Sequence, residues 1–273
     1  MKRLFDFIPS PVVMVATSYS MHDLNDIDVY ICAGKIDHNN ELTLSLPHGH
    51  KLCVEQKITV HLDNRTGVNE YDAALSVYRL SYKGSVKSVD DTSVVITPLE
   101  FQVFYGISIM LEYRHPGYSF PHDERQTKHL TQTALVKMPE IDKEEHENKI
   151  GVLITKACIQ PHTTVMAFLS SKEDDIFFIT LPGTFKSQLL KRDNQCYFAI
   201  DNRATFTFER ELEWNYSIIK GSVFAIDKAT PLFTDIKETF IAKNPWEVGF
   251  FSHPDIEMFH IKAQSTICPS RKK

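Results

Sequence analysis

Thr180, Thr184 and Lys186 stand where an apolar run gives way to a turn and then to an amphipathic stretch, in IFFITLPGTFKSQLLKRDNQCYFAIDNR. A phosphate dianion is best held by hydroxyl donors, by the free N–H groups of a helix start, and by a cation. Thr180 and Thr184 offer hydroxyls, the peptide groups from Thr184 to Ser187 offer N–H donors, and Lys186 offers charge. A plainer reading also fits: Thr184 is a helix N-cap and Lys186 a surface residue. The spacing alone does not choose between them.

Other polar groupings carry less. His48-Gly49-His50 pairs two imidazoles on a turn with no third ligand at useful spacing, which argues against a metal site. The stretch HPGYSFPHDERQTKH, residues 115–129, reads as a surface loop and as a candidate lid. Glu144, Glu145 and Glu147 read as a solvated face. There is no Ser-His-Asp order, P-loop or G-x-G-x-x-G, so no acid, base or nucleophile is named.

The elements that must position these groups recur. VHLDNR at 60–65 returns as FAIDNR at 198–203, and KGSVKSVDD at 83–91 as KGSVFAIDK at 220–228. LTLSLPHGHKL at 42–52 answers FFITLPGTFKS at 177–187. An offset of about 137 residues is a whole domain, so the chain reads as two related domains, 1–143 and 150–273. Between them MPEIDKEEHENK is dense in charge, as a linker or solvated helix is. Aligned on Leu-Pro, the first copy puts Ser45, Gly49 and Lys51 at the positions of Thr180, Thr184 and Lys186, losing one hydroxyl.

Most segments are short, β-branched or aromatic, and bounded by Asp, Asn, Gly or Pro, so they read as strands. Helices are expected at TFKSQLLKRD, at its first-copy counterpart HKLCVEQ, at 229–244 and at 98–113. Six or so strands per copy imply a small antiparallel barrel closed on itself.

Composition bounds the partners. Of 273 residues, 42% are hydrophobic and 24% charged, which suffices for a sizeable core. The net charge of −5 argues against a nucleic-acid binder, and no apolar run is long enough to span a bilayer. Five widely spaced cysteines without a C-x-x-C fit reduced thiols in a cytoplasmic protein.

The T-x-x-x-T-x-K junction, its following helix with Leu189-Leu190 and the later KGSV strand resemble the pyridoxamine 5′-phosphate oxidase-like FMN-binding split barrels. The N-terminal PSPVVMVATS is similar to the flavin-reductase-like branch of that superfamily. The resemblance covers most of both halves, but only the junction is chemically specific.

It implies a mainly β (α+β) fold: two tandem split β-barrels of Greek-key type with short flanking helices. It implies an FMN-binding oxidoreductase acting on a small molecule, with a reduced nicotinamide or flavin as electron source. The alternatives are a heme-binding or heme-degrading barrel, for which a His of 115–129 is a candidate ligand, and a non-catalytic flavin binder. FMN would be held by Thr180, Thr184, Lys186 and Ser187. Trp214 and Asn215 lie where related proteins place residues near the flavin; their plainer reading is an ordinary strand start. Asn244-Pro245-Trp246 is similar to a late aromatic segment, though a helix stop before a core Trp suits it better. Since family members pair two identical barrels, a tandem chain is expected to form that pair within itself, with a homodimer as a further option.

Overall fold

The computed structural model describes residues 3–23, 25–64, 77–106, 108–120, 122–142, 149–201 and 214–268. Glu144, Glu145 and Glu147, the ends of both Asp-Asn-Arg blocks and the basic tail lie outside those residues.

Strand β1 (Val12–Tyr19) is an unbroken apolar run because both of its faces are covered. Val12, Met14 and Ala16 point into one core, while Val13 and Val15 point into another. β1 pairs with β2 (Ile27–Ile36) and β4 (Lys57–Asp63), and β2 pairs with β3 (Leu42–Ser45). β5 (Tyr78–Val89) links β4 to β6 (Ser93–Tyr105), and β6 returns to β3. Six strands thus close a barrel, with a crossover between β3 and β4 of Greek-key type. β7 (Ser108–Arg114) hangs from β6.

The second sheet runs β10-β11-β14-β13-β12-β8-β9. Its strands are β8 (Ile150–Thr155), β9 (His162–Ala167), β10 (Leu169–Ser170), β11 (Ile176–Thr180), β12 (Gln195–Asp201), β13 (Tyr216–Ile226) and β14 (Glu257–Ile267). Its two ends, β9 and β10, are separated in sequence only by Phe168. If they are read as one broken strand, the order repeats that of the first barrel, and the sheet curls accordingly. The fold is therefore mainly β, with the expected tandem of split barrels.

The KGSV repeat has a structural cause. In both copies the ladder slips at the same place, between Lys83 and Gly84 in β5 and between Lys220 and Gly221 in β13. Such bulges bend a strand and re-aim its side chains. A Cβ on Gly84 would come within 2.3 Å of Ile96 Cγ2, and one on Gly221 within 2.5 Å of the Lys262 carbonyl oxygen. Only glycine lets the neighbouring strand approach so closely.

Two expected helices are absent. Residues 98–113 form the β6–β7 hairpin instead, with Phe101 and Val103 in the barrel core and Leu111 and Tyr113 packed against it. The apolar spacing there mimics a helix, but the ladder to β5 and the period-2 burial prevail. HKLCVEQ is a loop tied to β5 by Glu55 N–H donating to the Val86 carbonyl. Gly49, at the cap position, has φ +79° and no hydroxyl, so nothing starts a helix there.

The other two form as expected. α1 (Phe185–Arg192) is capped by Thr184, and α2 (Pro231–Lys243) by Thr230 with Pro231 in its first turn. α2 lays Leu232, Phe233, Ile236 and Phe240 on the second sheet. A 3-10 turn, Pro245–Glu247, follows it.

The two sheets meet face to face. Val13, Val15, Ile31, Val152, Ile154 and Trp214 belong to one buried cluster drawn from both halves. From β7 the chain runs as a strap along the second sheet. Lys128 N–H donates to the Lys191 carbonyl, and Thr133 N–H to the Ala225 carbonyl. All five cysteines are free thiols.

Candidate functional site

β4 alternates like β1, but its outward face is polar. Ile58, Val60 and Leu62 enter the barrel core, while Thr59, His61 and Asp63 face outward and are nonetheless buried. Burying polar groups is costly unless they find partners, and here they find them at the seam. Thr59 Oγ1 donates to the Pro161 carbonyl (2.6 Å), and Gln160 Nε2 donates to Thr59 Oγ1 (3.0 Å). Tyr118 of the strap donates to Gln160 Oε1 at 2.8 Å.

Beside this seam lies a chamber of about 450 Å³. Its walls come from β4, β5 and β6 of the first barrel, β9 of the second sheet, the strap and the start of α1. The aromatic lining includes Phe101, Phe104, Phe120 and Phe185. Phe120 and Phe185 meet edge to face at 5.8 Å, and the His162 ring lies 5.0 Å from Phe185. Phe185 is 37% exposed, an aromatic ring left open at the rim.

The charge in the chamber is mixed: Lys83 and Arg79 share it with Glu100, which is ion-paired to Arg114 at 2.7 Å. Lys83 is 3% exposed; its Nζ donates to Ser81 Oγ (2.9 Å), lies 3.3 Å from His162 Nδ1 and sits 4.7 Å from the Phe120 ring centre. Ser81 in turn shares a hydrogen bond with Thr163 across the seam at 2.8 Å. Burial pushes the Lys83 ammonium down to about 7, with Glu100 opposing. Burial, with Lys83 and Lys186 nearby, holds His162 well below the usual imidazole range, so its ring is neutral at pH 7. Arg79 donates through Nη2 to the Gly106 carbonyl (2.9 Å), while its buried Nη1 has no hydrogen-bond partner.

The phosphate-type junction adjoins this chamber. Thr180 ends β11 with its hydroxyl 3.1 Å from that of Thr184. Thr184 Oγ1 accepts from Ser187 N–H (3.4 Å) and donates to the Leu181 carbonyl (3.1 Å), so the cap reading of Thr184 holds. The capping role does not remove the first-turn N–H groups that precede Ser187. Burial lowers the Lys186 ammonium, and Glu247 opposes the shift. Burial pushes the Glu247 carboxyl up to about 7. Ser187 is committed elsewhere: its hydroxyl donates to Glu257 Oε2 at 2.7 Å.

The structure places Thr180, Thr184, Lys186 and Ser187 at one strand-to-helix junction, and Phe185 within it lines the chamber. It does not bring Trp214 and Asn215 there. Both precede β13, whereas Thr180 pairs with Glu257 at the start of β14, beside the far end of β13. Trp214 is buried in the seam cluster, and Asn215 accepts from Cys268 Sγ at 3.9 Å. In the first copy, Lys51 is exposed on a loop. His115, His122 and His129 are exposed too; the strap's contribution to the chamber is Phe120. No group of three metal-ligating side chains occurs among the described residues.

A second seam cavity of similar size includes Tyr19, Gln56, Arg125 and Lys156. Two of its cations are neutralised, Arg125 by Asp123 at 2.6 Å and Lys156 by Asp193 at 3.4 Å, while Lys57 also lines it. That separates it from the Lys83 chamber.

Lys83, His162 and Phe120 were not among the residues singled out as binding. Lys83 had a signal, since it heads the repeated KGSV block. Phe120 lies in the 115–129 stretch read as a candidate lid, while His162 had no signal, because its role depends on which strand faces which.

No family model and no curated protein matches the chain. Solved structures do. HutZ, the heme storage protein from Vibrio cholerae, is 15% identical with TM-score 0.40, covering 46% of this chain and 90% of that one. An FAD-binding protein from Mesorhizobium loti is 13% identical with TM-score 0.35, covering 44% and 82%. General Stress Protein 26 from Bacillus anthracis str. Sterne is 16% identical with TM-score 0.32, covering 44% and 84%. No helix among the described residues is long and apolar enough to cross a membrane.

Proposed function

We propose that this chain is an FMN-binding oxidoreductase of small molecules, with its flavin seated between the two barrels. One observation carries the reading: a capped helix start with two hydroxyls and a lysine contributes Phe185 to an aromatic chamber formed by both halves. The donor set fits the group. Thr180, the free N–H groups of α1 and Lys186 would hold the phosphate, and the chamber would take the ring system. Glu247 and Glu257 border the cradle as carboxylates, and burial keeps Glu247 largely protonated below pH 7, which limits their repulsion of a dianion.

A bound flavin supplies electron and hydride transfer; the protein orients it and tunes its electronics. Phe120 and Phe185 exclude water from the chamber, while Lys83 and His162 supply a donor and a neutral ring at its polar end. A reduced nicotinamide or flavin is the proposed electron source. The partner substrate is a small molecule reaching the ring past Phe185.

The visible spectrum of the purified protein, with mass analysis of what acid releases, tests this reading. Paired flavin bands and released FMN support it. The double variant Thr184→Ala/Lys186→Ala should lower FMN affinity at least tenfold with the circular dichroism unchanged. Lys51→Ala should have less effect; equal affinity in the double variant and the wild type would sink the cradle.

A heme reading draws on one feature, the neutral His162 ring facing the chamber. A Soret band that is lost in His162→Ala would replace the flavin assignment with that one.

A further inference from the structure

The two KGSV lysines occupy the same position in the repeat and the same bulge, yet face opposite surroundings. Lys220 Nζ is 2.8 Å from Asp26 Oδ1, and Tyr197 donates to the same oxygen. Lys83 makes no ion pair among the described residues; its neighbours are Ser81 Oγ, His162 Nδ1 and the Phe120 face, and Glu100, across the ladder from it, is ion-paired to Arg114 at 2.7 Å.

The ladders show how this difference arises. Thr17 pairs with Thr59 and Ile154 with Tyr197, and Thr59 and Tyr197 are repeat equivalents. One step along, Ser18 pairs with Asp28 and Thr155 with His162. His162 therefore stands where the other half has Asp28. Two residues earlier, Gln160 stands where the other half has Asp26. The acid that pairs with the lysine in one half, Asp26, has the neutral Gln160 as its counterpart in the other.

We infer that Lys83 is a buried cation left without an ion-pair partner for the ligand to supply, so that the chamber favours the anionic, reduced form of the flavin ring over the neutral, oxidised one. This rests on the flavin reading above. Two electrons and one proton convert the neutral ring to a reduced ring carrying one negative charge. A cation buried in low dielectric stabilises that charge more than water does. In the other half, Asp26 already fills the corresponding role, and Lys220 is satisfied without a ligand.

The test is the midpoint potential of FMN bound to the full chain, reduced anaerobically with dithionite against a reference dye. Lys83→Met should reduce the preference for reduced over oxidised FMN at least tenfold, about 30 mV for a two-electron couple. Lys83→Arg should keep the wild-type value. His162→Asp, which installs the other half's acid, should lower the potential in the same direction, and Lys220→Met should leave it unchanged. FMN held by Lys83→Met with an unmoved potential overturns this inference alone. A wild-type chain that takes up no FMN overturns it together with the flavin reading.

Discussion

Lys83 is the residue at which burial and charge conflict most openly. Its ammonium lies under Phe120 with hydroxyl and imidazole neighbours, and burial brings its pKa to about 7, against an unfolded value of about 10.4. Between those values the unfolded chain binds a proton that the folded chain does not, so stability rises with pH across that window. Below pH 7 both states are protonated and the penalty for a buried charge is fully present. Urea unfolding at pH 7 and pH 9 should therefore show a gain in wild-type stability that is smaller in Lys83→Met. An equal gain in both would mean that Lys83 is solvated. Lys186 shifts in the same direction and contributes to what slope the variant retains.

The elements show why identical sequence blocks produce identical geometry. Each KGSV glycine lies where the next strand passes too close for a side chain, against Ile96 in one barrel and against Lys262 in the other. Gly221→Ala would press a Cβ onto backbone, which cannot move aside as a side-chain end can. It should cost more than about 2 kcal/mol, at the upper end of ordinary substitutions. Gly84→Ala, which also meets the Thr97 carbonyl at 2.9 Å, should behave similarly. Urea midpoints near wild type for both would refute the close-approach account. The same scale explains one of the two missing helices. The cap hydroxyl of Thr184 has no counterpart at Gly49, so the first copy keeps the Leu-Pro turn and loses the helix start. The proposed phosphate cradle needs that start, so only the second half can carry it.

At the scale of the whole molecule, the two sheets are held by an apolar seam with a polar margin, and the chamber opens at that margin. Trp214 lies in the seam and not at the cradle, which separates two roles in one experiment. Trp214→Ala should lower stability by about 3–5 kcal/mol, as for other buried aromatic truncations. At temperatures where the variant remains folded, FMN affinity should change less than threefold. A larger loss of affinity than Lys186→Ala causes would return Trp214 to the binding site. The strap belongs to this scale as well. It leaves the first barrel, places Phe120 over the chamber and is pinned to α1 at Lys128 and to the second sheet at Thr133. Covering the chamber and joining the halves are therefore one piece of chain.

The residue pattern by itself determined the strands, the duplication, the capped helix α1 and the cluster of Thr180, Thr184 and Lys186. Each of these is a local matter of alternation, turn chemistry or capping, written within a few residues of itself. Residues 98–113 misled because apolar spacing over a short aromatic run fits both periods, and only the ladder to β5 decides between them. Ser187 and Trp214 were visible as candidates, but the seat of the first beside Glu257 and of the second in the seam were not. Tertiary structure alone decided the chamber. Lys83 and His162 are 79 residues apart and meet only because β5 of one barrel faces β9 of the other. The same four letters, Lys-Gly-Ser-Val, yield a satisfied ion pair in one half and an unpaired buried cation in the other. The difference lies in the strand opposite, which no local pattern in either block records.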